Sequence, residues 1–344
     1  MLSLFRNARE KRLRAFWRLF FQIVLYLAVG ALLGNLVFVA FALSSGELLG
    51  DGAADDMTMS PAFWAVSSAA SLVAIVVSVW LAGRFFDRRP LSGFGLRLDR
   101  AWWLDLCFGL ALGALLMVGI FLVELAAGWI TITGTFDTIG GGPFVLAILS
   151  PLVTFLCVGI AEELFTRGYL LTNIAEGLNY PGLGARGAVL IAWVISSFLF
   201  GLLHLANPGT TVISTINISF AGLLLGAGYV LTGRLAIPIG LHITWNFFQG
   251  NVFGFPVSGL EPIGATFVSI DQGGPASLTG GLFGPEAGLL GLTAMVIGGL
   301  LIWLWVHVRH GKATIQAFIA DPPVNRTQDA KVPNDNYYDI SRES

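Results

Sequence analysis

Two adjacent carboxylates, Glu162 and Glu163, lie in the stretch "GIAEELFTRGYLL" (159–171), with Arg167 four residues after the second. An acid and an arginine at i, i+4 share one helix face, whereas consecutive helical residues point about 100° apart. The arginine can therefore hold Glu163 while Glu162 faces a cavity; a salt-bridged helix end accounts for the same spacing equally well. In "FLFGLLHLANPG", His204 follows Phe200 by one turn and precedes an Asn207-Pro208-Gly209 turn that must end the helix. Taken alone, that histidine is accounted for by a hydrogen bond near a helix end. In "GRLAIPIGLHITWNFFQGN", His242 and Asn246 share a face. Such a pair can position a water or bond an oxyanion, and it can also simply bond one helix to another.

Of the four histidines, His307 and His310 close the last apolar run. Glu162, His204, His242 and Asn246 remain as the set inside apolar sequence. A carboxylate can take a proton from water, a histidine can polarise that water, and a histidine with an asparagine can bond the oxyanion of a tetrahedral intermediate. These suffice for amide hydrolysis. Other hydrolytic patterns are missing: there is no His-Glu-x-x-His, no Gly-x-Ser-x-Gly, and Asp105 is the lone aspartate within an apolar run. Ser196 and Ser197 lie too far along their helix from His204 to form a local dyad.

The elements that carry this set are membrane helices. With 344 residues, 55% hydrophobic and only 12% charged, and a mean hydropathy of +0.77, the chain is too apolar for a soluble globule. Eight runs near the ~20 residues that cross a bilayer stand at 16–43, 61–82, 101–129, 143–169, 188–205, 212–231, 236–253 and 287–306. All 19 Lys and Arg fall at the N-terminus, in alternate loops or after the last run. That pattern predicts eight spans with both termini cytoplasmic. Arg167 and Arg186 are then expected beside the turn after span four. The first run is longer than a signal-peptide core and is expected to be retained.

Spans one to three read as a lipid-facing scaffold (16–142), preceded by a basic segment (1–15). A polar core spans 143–253, an outer loop and last span 254–310, and a polar tail expected to be disordered 311–344. Cys107 and Cys157 read as small buried apolar residues. Asp105 and Glu124 lie near the two ends of span three, where they can reach interface water. Asn217 can line the core or bridge helices. All three stand outside the catalytic set. One tension remains: Glu162 falls near the cytoplasmic end of span four, His204 towards the outer end of span five. They can meet if span four continues through "YLLTNIAEGL" or if span five starts later or tilts; the long helix is the expectation, since that stretch has no Pro and one Gly, near its end.

In order and chemistry, "EELFTRG", "FGLLH" and "TGRLAIPIGLHITWN" resemble the Glu-Glu-x-x-x-Arg, Phe-x-x-x-His and His-x-x-x-Asn motifs of the CAAX protease and bacteriocin-processing family of intramembrane proteases. The resemblance covers about 155–251 and implies an all-α polytopic fold with a polar catalytic cavity among spans four to seven. It implies that Glu162 and His204 activate water, that His242 and Asn246 form the oxyanion site, and that Glu163 and Arg167 support them. The family is described both as metal-dependent and as using a glutamate-activated water; Glu162, His204 and His242 would be the ligands of a zinc ion. No required cofactor is the expectation. The expected partners are the bilayer and a hydrophobic or lipidated peptide or protein substrate, with no nucleic acid, in a cell membrane of bacterial type. A non-catalytic scaffold or bacteriocin immunity protein, and a proton-coupled transporter, are the competing functions; the absence of internal repeats weighs against the last.

Overall fold

A computed structural model describes residues 2–7, 10, 12–45 and 60–323. The expected loop at 46–59 and the tail from 324 onward lie outside the described residues. The chain forms an all-α polytopic bundle whose helices follow the apolar runs. These are α1 (Ala15–Ser45), α2 (Pro61–Asp87), α3 (Arg100–Ala126), α4 (Phe144–Leu178), α5 (Gly184–Leu203), α6 (Val212–Thr232), α7 (Ala236–Phe247) and α8 (Leu289–His310). Among the described residues seven of them are long and apolar enough to cross a membrane. The exception is α7, whose 12 residues continue as a five-residue π turn, Phe248–Val252.

Local chemistry sets the boundaries. Pro61 opens α2, where its missing N–H costs nothing. The Asp99 carboxylate accepts from Trp102 N at 2.8 Å to cap α3, and Thr211 with Ser214 form a reciprocal capping box on α6. Gly233 and Gly311 end α6 and α8 in the left-handed conformation.

Four sequence expectations are corrected. First, α4 runs on through Leu178 for 35 residues, as expected, so Arg167 lies buried within it and not beside a turn. Nothing between Tyr169 and Leu178 breaks a helix. Second, α3 is more than lipid-facing scaffold. Gly109 and Gly113 of α3, with Gly240 of α7, leave no room for a Cβ against the opposing backbone, and Thr244 Oγ1 donates to Leu110 O at 2.8 Å. Small residues let two membrane helices approach closely, and here α3 clamps the helix that carries His242.

Third, two stretches expected as loops pair as an antiparallel ribbon, β1 (Ile130–Thr138) with β2 (Ala265–Gln272), from Ile130↔Gln272 to Thr138↔Ala265. The "ITIT" run at the start of β1 is β-branched throughout and suits a pleated strand. Fourth, the tail is ordered as far as the described residues go. A 3-10 turn, Ala317–Ala320, buries Ile319 and Ala320, and Gln316 N donates to Val230 O at 2.9 Å.

Candidate active site

Immediately after Glu163, α4 changes to π winding over Leu164–Leu171. Such bulges recur at functional sites because they re-aim side chains within one helix. Glu163 is fully buried, and its Oε1 accepts from Arg167 Nη1 at 2.8 Å and from His242 Nδ1 at 2.9 Å. The carboxylate thus bridges its own helix to α7. Arg167 is saturated further: Nη2 donates to Gly222 O of α6 at 3.0 Å, and its guanidinium lies 4.4 Å from the Phe200 ring centroid.

Glu162 differs from its neighbour. Its side chain is 37% exposed, with Oε2 4.0 Å from His242 Nε2. The two acids therefore flank one imidazole, Glu163 at Nδ1 and Glu162 towards Nε2. Because a carboxylate only accepts, Nδ1 of His242 carries a proton, and Nε2 is the nitrogen that faces the free acid.

On α5, Phe200 O accepts from His204 Nδ1 at 2.8 Å. A carbonyl cannot donate, so that bond fixes Nδ1–H and leaves Nε2 of the neutral ring as the acceptor. The Phe200 ring sits 4.8 Å from the His204 ring and 6.1 Å, edge-on, from His242. One aromatic side chain thus spaces both histidines and covers Arg167.

Glu162, His204, His242 and Asn246 all line one cavity of about 1130 Å³, walled largely by apolar side chains such as Trp64, Phe155, Leu241 and Trp245. No Lys or Arg lines it. The segment after α7 roofs it with Ser258 to Gly264 and with Glu286. Burial pushes the Glu286 carboxyl up to about 7, against hydrogen bonds from Gln249 and Ser258 that pull it down.

Among the described residues no group of three or more His, Cys, Asp or Glu side chains is gathered to hold a metal ion. The trio Glu162, His204 and His242 does not fit one as placed, and no step below passes through a metal.

The remaining polar residues are structural. Asp105 is not in interface water: it is fully buried, bonded by Arg309 Nη1 at 2.7 Å and Trp305 Nε1 at 3.0 Å. Glu124 is likewise buried and takes a bond from Gln272 Nε2 of the ribbon at 2.8 Å. Cys157 is buried as expected, whereas Cys107 is exposed; neither forms a disulfide.

Sequence reasoning missed the Glu163–His242 contact, which joins residues 79 apart. It also missed Glu286, although a lone acid in the glycine-rich "GGLFGPEAGLLG" is a signal that could have found it.

Residues 144–248 match a family model described as type II CAAX prenyl endopeptidase Rce1-like. The resemblance read from the motifs is borne out over that segment, which contains Glu162, Glu163, Arg167, His204, His242 and Asn246. A curated relative, the uncharacterised protein YyaK of Bacillus subtilis (strain 168), is 27% identical over 176 residues, 50% of this chain and 56% of its own length. The match thus spans about half of each protein. No solved structure matches the chain.

Proposed function

We propose that the chain is an intramembrane endopeptidase that hydrolyses a peptide bond with a water activated by Glu162 and His204. One observation carries this reading: of two adjacent acids, Glu163 is buried and bonded to Arg167 and His242, while Glu162 opens into the cavity that His204 and His242 also line. In the attack, His204 Nε2 and the Glu162 carboxylate orient a water, Glu162 takes its proton, and the water oxygen bonds to the scissile carbonyl carbon. The carbonyl oxygen becomes an oxyanion, which accepts from His242 Nε2–H and Asn246 Nδ2–H. The carbon–nitrogen bond then breaks, and the proton held by Glu162 passes to the leaving amine.

With Nδ1–H bonded to Glu163, His242 can donate from Nε2 only as an imidazolium. Counted together, Glu162 and Glu163 balance Arg167 and the imidazolium. A neutral cluster is what a low-dielectric site tolerates.

The apolar cavity fits a hydrophobic or lipidated peptide segment. The one-sided distribution of basic residues supports both termini on the cytoplasmic side of a cell membrane; the short loops and the Bacillus relative favour a bacterial one. The test is cleavage of a quenched fluorescent peptide library by purified protein in detergent, with wild type and Glu162→Gln, with and without chelator. Loss of cleavage on substitution alone supports this mechanism. Loss with chelator, restored by zinc, replaces it with a metal mechanism, and an inert wild type leaves a scaffold or immunity protein.

A further inference from the structure

His204 and the pair His242–Asn246 belong to separate pieces of the fold, the turn after α5 and helix α7. The roof segment between α7 and α8 joins them by hydrogen bonds. From the His204 side, Asn207 N donates to His204 O at 3.1 Å, and Asn207 Nδ2 donates to Ser258 O at 2.9 Å. Ser258 then donates to Glu286 Oε1 twice, from N at 2.5 Å and from Oγ at 3.0 Å. From the other side, Gln249, in the π turn that continues α7 three residues after Asn246, donates from Nε2 to Glu286 Oε2. Asn217 Nδ2 of α6 anchors the next residue through Ala287 O at 2.8 Å.

The backbone is bent to make these contacts. Ser258 has a φ of 50°, uncommon for a residue with a side chain. Gly259, with a φ of 82°, lies so close to Pro208 O that no Cβ would fit. A buried acid is costly unless its oxygens are bonded, and this position uses what an acid alone supplies. Its two acceptor oxygens face opposite ways, one towards the His204 turn and one towards α7. A glutamine here would turn its amide N–H groups onto those of Gln249.

We propose that Glu286 is a positioning residue for hydrolysis, holding the His204 turn and the Asn246 helix in register through Ser258 and Gln249. This rests on the endopeptidase reading, and its test separates the two. Wild type, Glu286→Gln and Glu286→Ala, each checked for folding by size exclusion, are compared by peptide cleavage and by the ring signals of 15N-labelled histidine. The four histidines are assigned from single His→Gln variants.

Glu286→Ala is expected to lower kcat by ~10-fold or more with KM little changed, since small misplacements act on the chemical step. Its His204 ring signals shift or broaden, and Glu286→Gln falls between. Unchanged kcat in a folded variant, or His204 and His242 signals that superimpose on wild type, overturns the proposal. If Glu286→Ala does not fold, Glu286→Gln is judged by the same two readouts. If wild type cleaves no peptide, the endopeptidase reading fails, and the histidine signals still decide whether Glu286 sets the geometry.

Discussion

Helix α4 carries buried carboxylates at two levels, and the bundle treats them differently. At the far level Glu176 is bonded by three arginines, with Arg12 and Arg18 at 2.7 Å on one oxygen and Arg89 on the other. Asp87 joins through Arg18 at 2.7 Å and Tyr169 Oη at 2.8 Å. The described tail closes this level, with Asp321 O accepting from Arg89 and Ala320 O from Asn179. Glu176 and Asp87 are both buried. Some 20 Å back along the helix, Glu163 is bonded through Oε1 to Arg167 and His242, while its neighbour Glu162 keeps an open face. The two levels thus differ in access: Glu176 is enclosed by arginines, whereas Glu162, next to the buried Glu163, lines the cavity. The far level ties α1, α2, α4 and the tail together, and the near level leaves one carboxylate open to the cavity.

The sharpest test of this contrast is Glu162→Gln, which is expected to abolish cleavage, by ~1000-fold or more, with the thermal transition unmoved. Glu176→Gln should do the reverse. It leaves Arg12, Arg18 and Arg89 without the carboxylate they share, costs ~3–5 kcal/mol as a lower Tm, and spares turnover per folded molecule; loss of turnover in protein still folded would erase the distinction. Glu163→Gln probes the boundary between the two kinds of acid. It keeps the shape but weakens the hold on His242 and Arg167, and kcat should fall ~10- to 100-fold, with little change in KM.

The smallest effect lies in the roof. The folded-state value of about 7 for Glu286 stands above the ordinary 4.5, so the folded protein binds more protons than the unfolded chain between those values. Stability is fully present below that window and falls as pH rises through about 7. Thermal melts from pH 4.5 to 8 should show a decline on the order of 5 °C, flattened in Glu286→Gln.

What could be read from the sequence was whatever the chain states locally. Hydropathy and the alternation of Lys and Arg gave the helices, and i, i+4 spacings gave the acid–arginine pair and the His242–Asn246 face. The unbroken "YLLTNIAEGL" even indicated that α4 must run on. Long-range pairing was not written there. That Glu163 would bridge to His242, that Gly109 and Gly113 would receive Gly240, or that Glu176 would collect arginines from three separate segments depends on how helices meet. The π winding after Glu163 leaves no mark in residue type, and it changes which faces the two acids present. The β1–β2 ribbon was hidden by separation: each strand's partner lies more than a hundred residues away.

The lengths of α4 and α7 have a consequence for the lipid around them. At 35 residues α4 measures ~52 Å, while α7 with its π turn spans ~25 Å, and the hydrocarbon layer is ~30 Å thick. Packed side by side, the two suit no single bilayer. The long helix must tilt or protrude, whereas the short one is enclosed by the bundle, with no exposed residue. Acyl-chain length in reconstituted vesicles then becomes a control on turnover, because it sets how deep in the membrane Glu162 lies when a substrate arrives.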